Sequence, residues 1–140
     1  MAKRLASLAL CAVLAACDTR TGSSVTAPFA AELGRYVLQA VSGSPVPVML
    51  PPTVPNTTRQ LMADTVTFTS GGNVREVFYV ATTPTGGTAT TSSFAMAGKY
   101  TITRESIHLP PDFGYLYGRY AAGSVTLTSQ EGFLYVFTRP

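Results

Sequence analysis

The chain of 140 residues has no tryptophan, two cysteines and one histidine, and charged side chains make up only 12% of it. Each scarcity excludes something. Both cysteines, Cys11 and Cys17, precede Asp18, so the rest of the chain has neither disulfides nor a thiolate cluster and must be held by its core. The single histidine, His108, sits between Ile107 and Leu109, and strand alternation points it away from their face. No His/Cys/Asp cluster has metal-ligand spacing, and no Gly-x-Ser-x-Gly elbow is present. Gly71-Gly72 is not followed by Lys-Ser/Thr, so it reads as a turn rather than a phosphate cradle. Together these absences argue against an enzyme and against a resident metal or cofactor. No apolar run reaches the ~20 residues needed to cross a bilayer.

What is present begins with Lys3, Arg4 and the uncharged run "LASLALCAVLAA" at 5–16. A basic start, a short apolar stretch and small residues at its end describe an export signal. The run closes on Leu14-Ala15-Ala16-Cys17. This resembles the lipobox of bacterial lipoproteins, in which small residues let the peptidase approach the backbone and the cysteine thiol accepts a diacylglyceryl group. Cys11 follows the bulky Leu10, so Cys17 is the better acceptor. The alternative is an ordinary secretory signal in which Cys17 is accidental. The resemblance implies cleavage before Cys17, lipid attachment there, and a cell-envelope location with the membrane as partner. Two or three acyl chains would make that attachment effectively permanent. Asp18 resembles the signal that retains lipoproteins at the inner membrane of enteric bacteria, and the leaflet stays open.

Loss of residues 1–16 would leave eight basic and seven acidic side chains, so the basicity of the precursor gives no support to a nucleic-acid partner. The expected organisation is a signal at 1–16, an acylated tether at 17–33 and one domain at 34–140. "DTRTGSSVTA" has tether composition, and "PFAAEL" at 28–33 has the makings of one helical turn, with Pro28 at an early position.

After that turn Thr, Val, Tyr and Phe dominate, and Gly, Pro, Asn and Ser interrupt every six to twelve residues, as in short antiparallel strands. "RYVLQAVS", the proline-interrupted "VPVML", "DTVTFTS", "VREVFYVAT", "FAMAGKYTIT", "SIHL", "YLYGRYAA", "SVTLT" and "FLYVFTR" give eight or nine of them. "LPPTVPNTT" reads as a loop and "TTPTGGTATTSS" as an exposed hairpin tip. Gly-basic-Tyr recurs at Gly34-Arg35-Tyr36, Gly98-Lys99-Tyr100 and Gly118-Arg119-Tyr120: a glycine where the strand bends, a basic residue outward, a tyrosine inward.

Eight or so strands joined by local turns predict an all-β antiparallel meander that closes into a small barrel, because closure removes aggregation-prone edges. A two-sheet β-sandwich is the alternative. The stretch from Gly34 to Arg139 resembles the lipocalin-like domains of bacterial lipoproteins, with Tyr36 where lipocalins carry tryptophan after Gly-x. The resemblance implies that Arg139, near the end of the last strand, stacks on Tyr36 and that Gly34, Tyr36 and Arg139 close the barrel. The sequence departs from lipocalins in having no tryptophan and no room for a C-terminal helix.

A barrel of this size is either filled by side chains or holds one small ligand. Glu76 is the carboxylate that stands out: it and Arg75 are strand neighbours on opposite faces, so one of the two can point into the barrel, where a charge needs a partner or a ligand, and the alternative is a bulge or register that leaves both in water. Glu105, Glu131 and Asp112 read as solvated turn residues. Of the fourteen Phe and Tyr residues, Tyr100, Tyr115 and Tyr117 are the candidates to line a pocket with Glu76, Tyr115 and Tyr117 sharing a face. Two functions follow: a membrane-anchored, non-enzymatic module holding a small apolar ligand, or an envelope protein with a packed interior that binds another protein. A cavity above ~300 Å³ favours the first.

Overall fold

The computed structural model describes residues 33–104 and 106–140. The lipobox, Cys17, the tether, residues 28–32 of the expected helical turn, and Glu105 lie outside the described residues. The chain is all-β. Strands β1 (Gly34–Val41), β2 (Ser44–Pro45), β3 (Val48–Leu50), β4 (Thr57–Thr69), β5 (Asn73–Pro84), β6 (Thr90–Lys99), β7 (Thr101–Thr103), β8 (Ser106–His108), β9 (Tyr115–Ala121), β10 (Ser124–Ser129) and β11 (Leu134–Thr138) follow one another, with a 3-10 turn at Pro111–Phe113.

The strands form one antiparallel sheet, curled into a half-barrel. Its path runs β6-β5-β4-β1-β11-β10-β9-β8-β7, with β2 added to β1 and β3 added to β4. The two ends of that path, β6 and β7, are separated in the chain by Tyr100 alone. One residue thus links the two ends of the path, which a flat sheet would hold far apart. First and last strands pair directly, Val37 opposite Thr138 and Leu38 opposite Phe137. That long-range pairing joins the termini of the domain.

Local chemistry explains the turns. Ser42 and Gly43 both have positive φ, which a two-residue hairpin requires, and β2 folds back on β1 with Val41 opposite Ser44. Between β4 and β5 the connection has three residues, 70–72, and Gly71 and Gly72 supply its positive φ angles. The strand expected at 64–70 is longer than alternation suggested. β4 starts at Thr57, inside the expected loop, because "TTRQL" pairs along its whole length with β5 and, from Arg59 to Leu61, with β3 as well. Likewise β6 begins at Thr90, within the expected hairpin tip, and only Thr85–Ala89 turns.

Alternation directs Tyr36, Leu38, Val66, Phe68, Val74, Ile107, Val125, Leu127 and Phe137 into one core. Burying each such side chain contributes ~1.5–3 kcal/mol. Tyr36, Phe68 and Tyr100 meet edge to face in series, with centroids 5.9 and 4.9 Å apart. In all three Gly-basic-Tyr segments the basic residue is exposed, while Tyr36 and Tyr100 are buried and Tyr120 packs against the core. Gly118 lets β9 approach closely: a Cβ there would lie 2.5 Å from Leu127 Cδ2. At Gly98 a Cβ would lie 2.5 Å from Pro110 Cγ, so the bare backbone of β6 makes room for the segment leading into the 3-10 turn.

Three bulges decide which residues face inward. They fall between Leu38 and Ala40, between Leu61 and Ala63, and opposite Thr128 and Ser129. Each inserts one residue and reverses the alternation beyond it.

Candidate functional site

The inner face of the half-barrel carries two carboxyl groups. Glu76 of β5 sits opposite Val66 in the β4–β5 ladder, and Asp64 of β4 sits opposite Phe78. The two acids are diagonal neighbours on one face. Each is 2% exposed. The bulge at Met62 sets this up: Met62 turns outward, and the inward series continues with Asp64, Val66 and Phe68 instead of breaking at an odd position.

Tyr115 reaches them from across the interior. Its hydroxyl donates to Glu76 Oε1 at 2.7 Å. Its ring meets Tyr135 edge to face at 5.4 Å. The bulge in β9 is again the cause. Ser129 pairs with Tyr115 and Thr128 with Tyr117, which leaves Leu116 as the inserted residue. Tyr115 therefore faces in, whereas Tyr117 faces out and is 50% exposed. The two tyrosines expected to share a face are on opposite ones.

A cavity of about 220 Å³ surrounds the acid pair. Its apolar wall includes Leu61, Phe78, Met96 and Phe113, and it reaches the surface beside Glu131, which is exposed. Three of its lining residues are acids (Asp64, Glu76 and Glu131), and none is Lys, Arg or His. A groove of about 440 Å³ adjoins it, sharing Leu50, Glu131 and Tyr135.

Burial governs the protonation of the pair. Taking the Asp64 carboxyl out of water, with the Glu76 charge next to it, pushes its pKa up to about 9, against a smaller opposing hydrogen bond at the Thr65 backbone. Glu76 is also raised by burial, and the bonds from Tyr115 and Asp64 limit the rise. Two adjacent buried carboxyls cannot both ionise, so at neutral pH the pair keeps a proton between them. Tyr115 is pushed well above its ordinary value by burial and by the charges of Glu76 and Asp64. Tyr135 is raised by burial first, then by Asp64, Glu131 and Glu76.

Asp64 Oδ1 and Glu76 Oε2 are buried and accept no hydrogen bond from any donor group among the described residues. Such an arrangement can pass a proton to a bound molecule or accept hydrogen bonds from it.

Of the residues singled out for a ligand site, the fold brings together Glu76 and Tyr115. Tyr100 packs on Phe68 at the joint of β6 and β7 and does not line the cavity. Tyr117 lies on the outer face. Asp64 and Tyr135 were not singled out. A signal for Asp64 did exist, because it stands two and four residues before the inward Val66 and Phe68. His108 is exposed.

At the other end of the domain, Arg139 lies across Tyr36. Its guanidinium carbon is 5.3 Å from the ring centroid, Nε donates to the Tyr36 hydroxyl at 3.2 Å, and Nη2 donates to the Leu33 carbonyl at 2.8 Å. Gly34 begins β1 beside them with φ +130°, a conformation open to glycine. Burial raises the Tyr36 hydroxyl, partly offset by Arg139.

Comparison of the chain with protein-family models, with curated proteins and with solved structures finds no match.

Proposed function

We propose that this chain is a bacterial envelope lipoprotein, moored by acyl chains on Cys17. In this reading its domain is an eight-stranded, lipocalin-like barrel that holds a small ligand without catalysis. The observation that carries it is the cavity of about 220 Å³ with an acid pair at its base. Packing alone gains nothing from this arrangement, because two buried carboxyls and a void cost stability that Leu or Phe would not.

The barrel reading counts β6 and β7 as one strand bent at Tyr100. The sheet path then follows chain order from β1 through β4, β5, β6/β7, β8, β9 and β10 to β11, and back to β1. Arg139 across Tyr36 next to Gly34 supports the lipocalin resemblance. At about 220 Å³ the cavity falls short of the ~300 Å³ expected for an apolar-ligand barrel, so the ligand reading rests on the buried acid pair rather than on volume, and it favours a small ligand with a polar end.

Native mass spectrometry of protein taken from its own membrane tests the binding role. A stoichiometric adduct of a small molecule is expected, lost when Leu61→Trp fills the cavity. An adduct unaffected by that substitution, or none at all, overturns the cavity reading. Membrane fractionation tests the anchor: the wild type sediments with membranes, and Cys17→Ala, once exported, does not. Equal solubility of the two refutes attachment at Cys17.

A second reading, binding to another envelope protein, is favoured by β6. Among the described residues this strand of 10 pairs with β5 alone, and its only charge is Lys99. Such an edge is a template for strand addition. In-cell cross-linking from Ser93 would trap a single partner under this reading and none under the first.

A further inference from the structure

Resting on the reading of the cavity as a ligand site, we infer that its ligand is a small primary amine with an apolar body, the ammonium seated between Asp64 and Glu76. Three observations converge. Asp64 Oδ1 and Glu76 Oε2 are acceptors on side chains 98% buried, they line the cavity, and no donor group among the described residues serves them. The lining includes three acids and no base, so the site repels anions and draws cations. The remaining wall, with Leu61, Phe78, Met96 and Phe113, suits a hydrocarbon body rather than a sugar or a second charge.

An ammonium group brings three N–H donors and no acceptor, the complement of a site that has acceptors and lacks donors. Size sets the body. An engineered cavity of ~150 Å³ takes up benzene, so one of about 220 Å³ takes a molecule of roughly nine non-hydrogen atoms.

The protons balance as follows. The free pair carries one proton and one negative charge. The ammonium arrives with its own positive charge and donates to both carboxylates, and the proton formerly shared by Asp64 and Glu76 leaves to solvent. Binding therefore releases about one proton per amine at neutral pH, and affinity rises with pH while the pair would otherwise hold that proton. The titratable groups that face the pair are Tyr115 from β9, Tyr135 from β11 and Glu131 from the turn before it. Both tyrosines stay neutral across that range, and Glu131 at the mouth adds only attraction for a cation.

The test uses the full chain in phosphatidylcholine nanodiscs, with empty discs as reference, and titrates 2-phenylethylamine, 2-phenylethanol and phenylacetate by calorimetry. The amine is expected to bind about 10- to 100-fold more tightly than the alcohol, the range for hydrogen bonds to a charged group, with phenylacetate not binding. Asp64→Asn/Glu76→Gln should remove that preference. Since it also removes buried charge at unchanged volume, its melting temperature should not fall, which separates lost recognition from lost folding. Runs in buffers of different ionisation enthalpy should show about one proton released. If amine and alcohol bind alike, or the double variant keeps the preference, the amine assignment is overturned while the ligand site stands. If none of the three binds and no adduct is seen in protein from its own membrane, both fall.

Discussion

The acid pair makes stability a function of pH in a direction that one substitution can isolate. In the unfolded chain Asp64 titrates near its ordinary value of 3.8, and in the folded chain near 9. Between those limits the folded state holds a proton that the unfolded state has lost. Stability is therefore fully present below about pH 4 and is withdrawn as pH rises toward 9. One proton corresponds to about 1.4 kcal/mol per pH unit, so about 3 kcal/mol disappears between pH 5 and pH 7. Asp64→Asn removes this titration, and the new amide can donate to Glu76 in place of the shared proton. The variant should resemble the wild type at acid pH and exceed it increasingly as pH rises. Urea unfolding at pH 5, 6 and 7 measures the difference. With m of ~1–3 kcal/mol/M, a gap widening by about 3 kcal/mol separates the midpoints by a further 1–3 M. Parallel pH profiles for the two proteins would refute the claim that Asp64 is protonated in the fold. A profile in which the wild type gains stability from pH 5 to 7 would refute the burial argument altogether.

Three further substitutions probe the rest of the structure. Gly118→Ala drives a methyl to 2.5 Å from Leu127 Cδ2 and 3.3 Å from Ile107 Cβ, and should cost ~1–3 kcal/mol by overpacking, read as a lower melting temperature. Arg139→Ala removes the cation over Tyr36 and the bonds to its hydroxyl and to the Leu33 carbonyl, for a loss of ~1–3 kcal/mol in urea unfolding; an unchanged midpoint would show that the contact holds nothing together. Tyr115→Phe deprives Glu76 of its donor, so Glu76 should titrate higher than in the wild type by carboxyl-detected NMR, and an unchanged titration would mean the 2.7 Å bond contributes little.

Much of the inner face could be read from alternation where no bulge intervenes. Val66 with Phe68 and Val125 with Leu127 are such pairs, and Arg75 and Glu76 do divide between the two faces. The reading failed where one inserted residue shifted the phase. Leu116 separates Tyr115 from Tyr117, and nothing in "YLYGRY" marks it as the extra residue, because a bulge is set by what the neighbouring strand can pair with. Asp64 is in phase with Val66 and Phe68, and the extension of β4 back to Thr57 places it in the middle of a strand.

The amino-acid order by itself determined the all-β character, the glycine turns, the inward tyrosines of the Gly-basic-Tyr segments and the restriction of cysteine to the residues before Asp18, since these depend on local conformation and composition. The meeting of β6 with β7 at Tyr100, the pairing of β1 with β11, and the convergence of Asp64, Glu76 and Tyr115 were decided by tertiary structure. Those residues are far apart in the chain, and only the curl of the sheet, with its phase reset at the bulges, brings them to one buried place where a proton is retained.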